Sequence, residues 1–202
     1  TAWKDGQCLI STLDARTGVI TETGLERAES SLAPDGRHFT ALFGQDHRQK
    51  KRWLGLYAIP PGEPLFREDR GQTGSTIEAW SQDGKYLVGS PWGTENRVLR
   101  VIRTEDGQAK EIPLGELPTL AQEGNRVPRL WCLAMDGRSG RVAAGLGSTG
   151  MGMVFVFDFQ SGARQITLDD FPIWVQVLRF LGPERFLTCT RGGRVQLWDL
   201  KE

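Results

Sequence analysis

The chain has 202 residues, with 25 Lys and Arg against 25 Asp and Glu, so its formal charge is zero and its pI near 6.7. That length holds one domain or two small ones with a real core, and the charge balance excludes a global attraction to nucleic acid or to an anionic membrane. Glycine, 25 residues beside seven Trp, exceeds its usual share of roughly 7% and favours turn-rich β structure.

No apolar run approaches the roughly 18 residues that cross a bilayer. Thr1, Ala2, Trp3, Lys4 and Asp5 lack a signal-peptide pattern. The expected compartment is the cytoplasm, with whatever precedes Thr1 outside this reading. Cys8, Cys132 and Cys189 are too far apart for a zinc site and odd in number for a disulfide framework, so buried, reduced thiols are expected.

Taken in chain order, short segments alternate apolar and polar residues or form β-branched and aromatic runs, which is strand periodicity. Gln7 to Leu13 reads as the third strand of a sheet, without its two inner strands, and Val19 to Thr23 as its outer strand. The next unit holds Phe39 to Phe43 and Trp53 to Ile59. Ile77 to Trp80, Tyr86 to Val88, Val98 to Ile102 and Ala109 to Ile112 make the next. Leu130 to Leu133, Val142 to Leu146, Met153 to Asp158 and Arg164 to Leu168 make another. Trp174 to Phe180, Arg185 to Cys189 and Val195 to Trp198 make the last, so the blade-like units span about 1–23, 28–68, 76–113, 129–168 and 174–202 of a single region, 1–202.

The units share a frame. Asp35-Gly36, Asp83-Gly84, Asp136-Gly137 and Pro183-Glu184 stand at turns between first and second strands, spaced by 48, 53 and 47 residues. A second marker, Leu13-Asp14 with Thr17-Gly18, recurs at Tyr57-Ala58, Ile102-Arg103, Phe157-Asp158 and Trp198-Asp199. Four antiparallel strands in about 48 residues cannot bury both faces alone, so neighbouring units must stack as propeller blades do. The expected fold is all-β, a β-propeller of four-stranded antiparallel blades with about four blades present.

Arg191-Gly192-Gly193-Arg194-Val195-Gln196-Leu197-Trp198-Asp199-Leu200 resembles the third strand of a WD repeat, and Val154 to Gly162 is a softer copy. The resemblance implies a WD-repeat-like propeller and, from it, a protein-binding scaffold or sensor. The Gly-His pair of such repeats is missing, since the two His are His38 and His47, and Gly192 stands where the turn Asp of the last repeat would be. The resemblance therefore implies a divergent propeller held more by packing and backbone ladders than by the His/Asp network. Propellers of this kind close with more blades, so the chain is expected to be part of a larger ring. Self-association of two copies and closure of a small ring are the alternatives.

Several motifs point toward chemistry less well than toward structure. Gly145, Gly147, Gly150 and Gly152 match a phosphate-loop spacing, but a strand with Phe155 and Phe157 follows instead of a helix, so a flexible hairpin is expected. Asp169-Asp170 precedes Phe171-Pro172 with no His or third acid nearby in sequence, and a loop entering the inner strand is expected. No Gly-x-Ser-x-Gly elbow occurs. No cofactor, metal site or catalytic residue is expected.

Binding candidates remain. His47 to Arg52 is the one basic cluster, and through Arg48, Lys50, Lys51 and Arg52 it could meet an acidic ligand or nucleic acid. Trp92, between Pro91 and Gly93, is a candidate aromatic contact, and Arg191 lies on the same loop side. Trp80, Trp131, Trp174 and Trp198 read as inter-blade core. The irregular side, with second-to-third-strand loops and crossovers, is the expected face for a protein partner. An enzyme would need convergent acids or His at inner-strand positions, where Glu78, Arg129, Trp131 and Gln176 stand instead.

Overall fold

The computed structural model describes residues 2–4, 7–13, 20–26, 29–43, 52–59, 62–71, 77–90, 98–117 and 128–200. The described chain is all strand and turn, with three four-stranded and two three-stranded antiparallel sheets. It divides into two compact units.

The first unit comprises Thr1–Gly74 with Thr104–Gln108. It contains the sheet β1 (Ala2–Lys4), β2 (Gln7–Leu13), β3 (Ile20–Glu26) and the sheet β4 (Glu29–Leu32), β5 (His38–Phe43), β6 (Arg52–Ala58), β7 (Phe66–Gly71). β1 corrects the sequence reading, because Trp3 pairs with Cys8 and the first sheet has a strand inside Gln7–Leu13. Three residues are too few to display an alternation. Phe39 stacks on Tyr57 at 5.3 Å, and Ala41 is buried with them.

The second unit comprises Ser75–Arg103 with Ala109–Glu202. Its sheets are β8 (Ile77–Trp80) to β11 (Ala109–Pro113), with β9 (Tyr86–Ser90) and β10 (Val98–Arg103) between, then β12 (Arg129–Asp136), β13 (Arg141–Ser148), β14 (Met151–Asp158), β15 (Arg164–Phe171), and finally β16 (Val175–Phe180), β17 (Arg185–Thr190), β18 (Val195–Asp199). The first strands are neighbours, and Ser81 bridges Met135 in parallel.

Period-2 alternation gives the middle sheet of this unit, β12–β15, two apolar faces, and stacking buries both. Val88, Leu99, Val101 and Ile112 meet Leu133, Val142, Leu146, Phe155 and Phe157 in one core. On the other face of the middle sheet, Ala134, Ala143, Val154 and Val156 meet Val175, Leu178 and Phe186 in a second.

The repeated turn aspartates have a physical role. Asp35, Asp83 and Asp136 each accept a hydrogen bond at Oδ1 from the backbone N–H two residues on, at 2.8, 3.2 and 3.2 Å, which is an Asx turn. Gly36 and Gly84 follow with φ of 66° and 71°, the left-handed conformation glycine adopts freely. In the third copy Asp136 is itself the last residue of β12, and the left-handed residue is Gly140 (φ 71°), immediately before β13, rather than Gly137.

In the β14–β15 turn, the backbone N–H of Ser161 (2.6 Å) and its hydroxyl (2.9 Å) both donate to Asp158 Oδ1. The Ser161 amide, with help from the Ser161 hydroxyl, holds the carboxyl below its usual range against the opposing effect of burial. A depressed folded-state pKa contributes stability that is present above the unfolded value and lost as pH falls through the folded one. Asp158→Asn should therefore lower the melting temperature more at pH 7 than at pH 2.5. Thermal unfolding against pH checks this, and an equal penalty at both pH values would contradict it.

The WD-type network is present only in part. Trp198 Nε1 donates to Thr188 Oγ1 at 3.0 Å, with Thr188 fully buried, and among the described residues no His or Asp side chain extends the link.

Candidate functional site

The second unit carries an aromatic ladder at the end where β13 turns into β14. Trp131 lies in β12 at a register shift, since Leu130 pairs with Leu146 and Cys132 with Gly145, leaving Trp131 as the bulged residue without a partner opposite. A bulge re-aims a side chain and bends its strand. Here the Trp131 indole turns toward β13 and donates from Nε1 to the Gly147 carbonyl at 3.0 Å.

One ring face of Trp131 stacks on Trp174, with centroids 4.8 Å apart and planes 12° from parallel. Trp174, in the crossover before β16, is buried at 8% exposure, and the Arg191 guanidinium lies 4.6 Å above its ring. The Arg191 amide also donates to the Trp174 carbonyl at 3.2 Å. Guanidinium, indole and indole thus form one stack across two sheets. Trp131 ends it at 38% exposure, and so departs from the core role expected of it. The bulge is the reason, because it takes this one residue out of the alternation.

Glycines make the close approach possible. A Cβ at Gly147 would lie 2.7 Å from Trp174 Cβ and 2.6 Å from the Met151 carbonyl oxygen, and one at Gly152 would lie 2.3 Å from the Ile173 carbonyl oxygen. The glycine-rich segment is therefore the expected hairpin between second and third strands, and its glycines serve the close approach of Trp174 and Ile173. β13 and β14 pair all the way to Ser148 and Met151, around a turn of Thr149 and Gly150. Asp169 and Asp170 are likewise strand residues, exposed near the end of β15 rather than in a loop.

Cys132 lies behind the ladder with its thiol donating to the Val175 carbonyl at 3.3 Å, and burial pushes its pKa up to about 12. A thiol so placed stays protonated and is no nucleophile. Arg129 and Gln176 are exposed, Glu78 is half-buried, and no group of three His, Cys, Asp or Glu positioned for a metal occurs among the described residues.

Of the residues proposed from sequence, only Arg191 is brought into this arrangement. Arg48, Lys50, Lys51 and Trp92 lie outside the described residues, and Arg52 is described only as the first residue of β6. Trp131 and Trp174 were visible as aromatics in strand patterns, but the register shift that exposes one of them leaves no local signature.

No protein-family model matches the sequence, and no curated protein matches it. Among solved structures the chain is similar to U3-55K, a WD40 β-propeller protein, at 18% identity and a TM-score of 0.58. The similarity covers 84% of this chain and 47% of that one, so the chain spans about half the length of that structure. At this identity the likeness shows the fold alone: the sheets are those of a β-propeller.

Proposed function

We propose that the chain is a non-catalytic interaction module that presents the ladder end of its second unit to a protein partner, as part of a scaffold or sensor. One observation carries this reading. Trp131 is held by a hydrogen bond and a stack yet remains 38% exposed, and pre-positioned Trp and Arg side chains are the residue types that dominate interface energies. Trp92 and the basic run from Arg48 to Arg52 are further contacts proposed on sequence alone. A nucleic-acid role for that run would show as steep weakening of binding with salt.

The test is affinity purification of the tagged chain with quantitative comparison of what co-purifies. Trp131→Ala together with Arg191→Ala should reduce the recovered partner at least tenfold, while Arg179→Ala, an exposed arginine on β16, should not. Unchanged recovery from a double variant that still folds would move the interface elsewhere.

A second reading is favoured by the last sheet. Val177, Val195 and Leu197 are 47%, 60% and 59% exposed, and with Leu187 and Cys189 they form one face of β16–β18. This face occupies the register that Cys132, Ala134, Ala143, Val154 and Val156 occupy in the middle sheet, where the next sheet covers them. We assign it a further sheet of the same type, which in a solution of this chain alone a second copy supplies. Light scattering should then give a mass that rises toward twice 22.5 kDa with concentration, and Leu197→Glu should return it to that of the monomer. A wild-type chain monomeric at all concentrations would contradict self-association.

A further inference from the structure

The open end of the ladder has a chemistry of its own. One face of the Trp131 ring is covered by Trp174 and its polar edge is spent on Gly147, which leaves the second ring face and the benzo edge to carry its exposure. That face is held at a fixed angle before any ligand arrives, which removes most of the ordering cost of binding to it.

Among the described residues, three arginines lie on the segments that build the ladder. Arg129 pairs with Gly147, the residue whose carbonyl holds the indole, and is exposed. Arg191 lies against the Trp174 ring and is exposed, and Arg194, also exposed, accepts at its carbonyl from the Thr190 amide in the same turn. None of the three arginines has an ion pair among the described residues. Asp169 and Asp170 lie at the same end of the middle sheet but on its outer strand β15, three strand spacings or roughly 14 Å from β12. Glu78, on the neighbouring first strand β8, is half-buried and is the one carboxylate of that strand.

We propose that Trp131 seats a flat side chain, aromatic or proline, of an extended acidic segment in the partner, whose carboxylates pair with Arg129, Arg191 and Arg194. This rests on the protein-interaction reading above and names the partner's chemistry. Arginine–carboxylate pairs are among the stronger charge-assisted hydrogen bonds, and flat side chains stack on an indole face. A peptide fits better than a nucleic acid. Single strands are bound on successive aromatic platforms along a basic groove, and among the described residues the ladder offers one open face, with the indole N–H already engaged.

The experiment follows the indole N–H signals of the ¹⁵N-labelled chain, with the Trp131 signal identified by its loss in Trp131→Phe. The probes are the hexapeptides Glu-Glu-Phe-Pro-Glu-Glu, Lys-Lys-Phe-Pro-Lys-Lys and Glu-Glu-Gly-Gly-Glu-Glu, and a ten-nucleotide oligothymidylate. The acidic Phe-Pro peptide should shift the Trp131 signal and bind at least tenfold tighter than either other peptide. Its affinity should fall with added salt and by tenfold or more in the triple variant Arg129→Ala, Arg191→Ala, Arg194→Ala. Preference for the lysine peptide would overturn the acidic assignment while leaving a protein interface in place. A Trp131 shift with oligothymidylate alone would replace the peptide by a nucleic acid. A Trp131 signal that no probe moves would overturn this proposal, and the interface it rests on would then stand or fall by the partner recovery of Trp131→Ala with Arg191→Ala.

Discussion

Phe186→Ala is expected to cost about 3–5 kcal/mol, the usual range for deleting a buried aromatic ring from a core. Phe186 is fully buried between the last two sheets, with Phe180 at 6.0 Å and Trp198 at 6.3 Å. Its removal opens a cavity where Ala134, Ala143, Val154 and Val156 face β16–β18. Those small side chains leave little that could relax inward to fill it. Against a total stability of roughly 5–15 kcal/mol, the loss is a large fraction. Phe186→Leu, which keeps more of the volume, should cost far less, and Leu197→Ala on the open face of the same sheet less than about 0.5 kcal/mol. Urea unfolding followed by tryptophan fluorescence measures all three. Equal effects of Phe186→Ala and Leu197→Ala would mean that the last sheet does not stack as described.

Gly147→Val is the second large effect, and it acts on the ladder itself. The glycine is strand backbone in contact distance of the Trp174 main chain, where even a Cβ would stand 2.8 Å from Trp174 Cα. A branched side chain must push the crossover away from β13, and with it the Trp174 ring on which Trp131 stacks. Overpacking of this kind costs about 1–3 kcal/mol. The more telling result is optical, since separating two stacked indoles should weaken the near-ultraviolet circular dichroism of the folded protein. Gly192→Ala is the control, because its Cβ would meet nothing closer than Thr190 Oγ1 at 3.8 Å. A Gly147→Val protein with wild-type stability and spectrum would refute the close approach.

How much of this was legible in the sequence depends on whether the cause was local. Strand positions from Phe39 to Trp198 follow from period-2 alternation, and the Asp-Gly turns from an Asx bond that spans two residues. Both are written within a few positions of the chain. The Trp131 bulge arises from the offset between β12 and β13, and the need for glycine at position 147 from a crossover 27 residues later at Trp174. Composition marks such residues as unusual, yet only the pairing of distant strands tells what they do. The same reason explains why Trp131 and Trp174, alike as aromatics in strand patterns, end at 38% and 8% exposure.

The central claim is that the ladder end is where this chain meets its partner. Hydrogen–deuterium exchange of the folded chain, with and without the partner recovered by affinity purification, tests it most directly. The account predicts new protection at Arg129 to Trp131, around Gly147 and from Trp174 to Gln176, together with the turn from Arg191 to Arg194. Protection that leaves these segments unchanged and falls on other strands of the chain would contradict it.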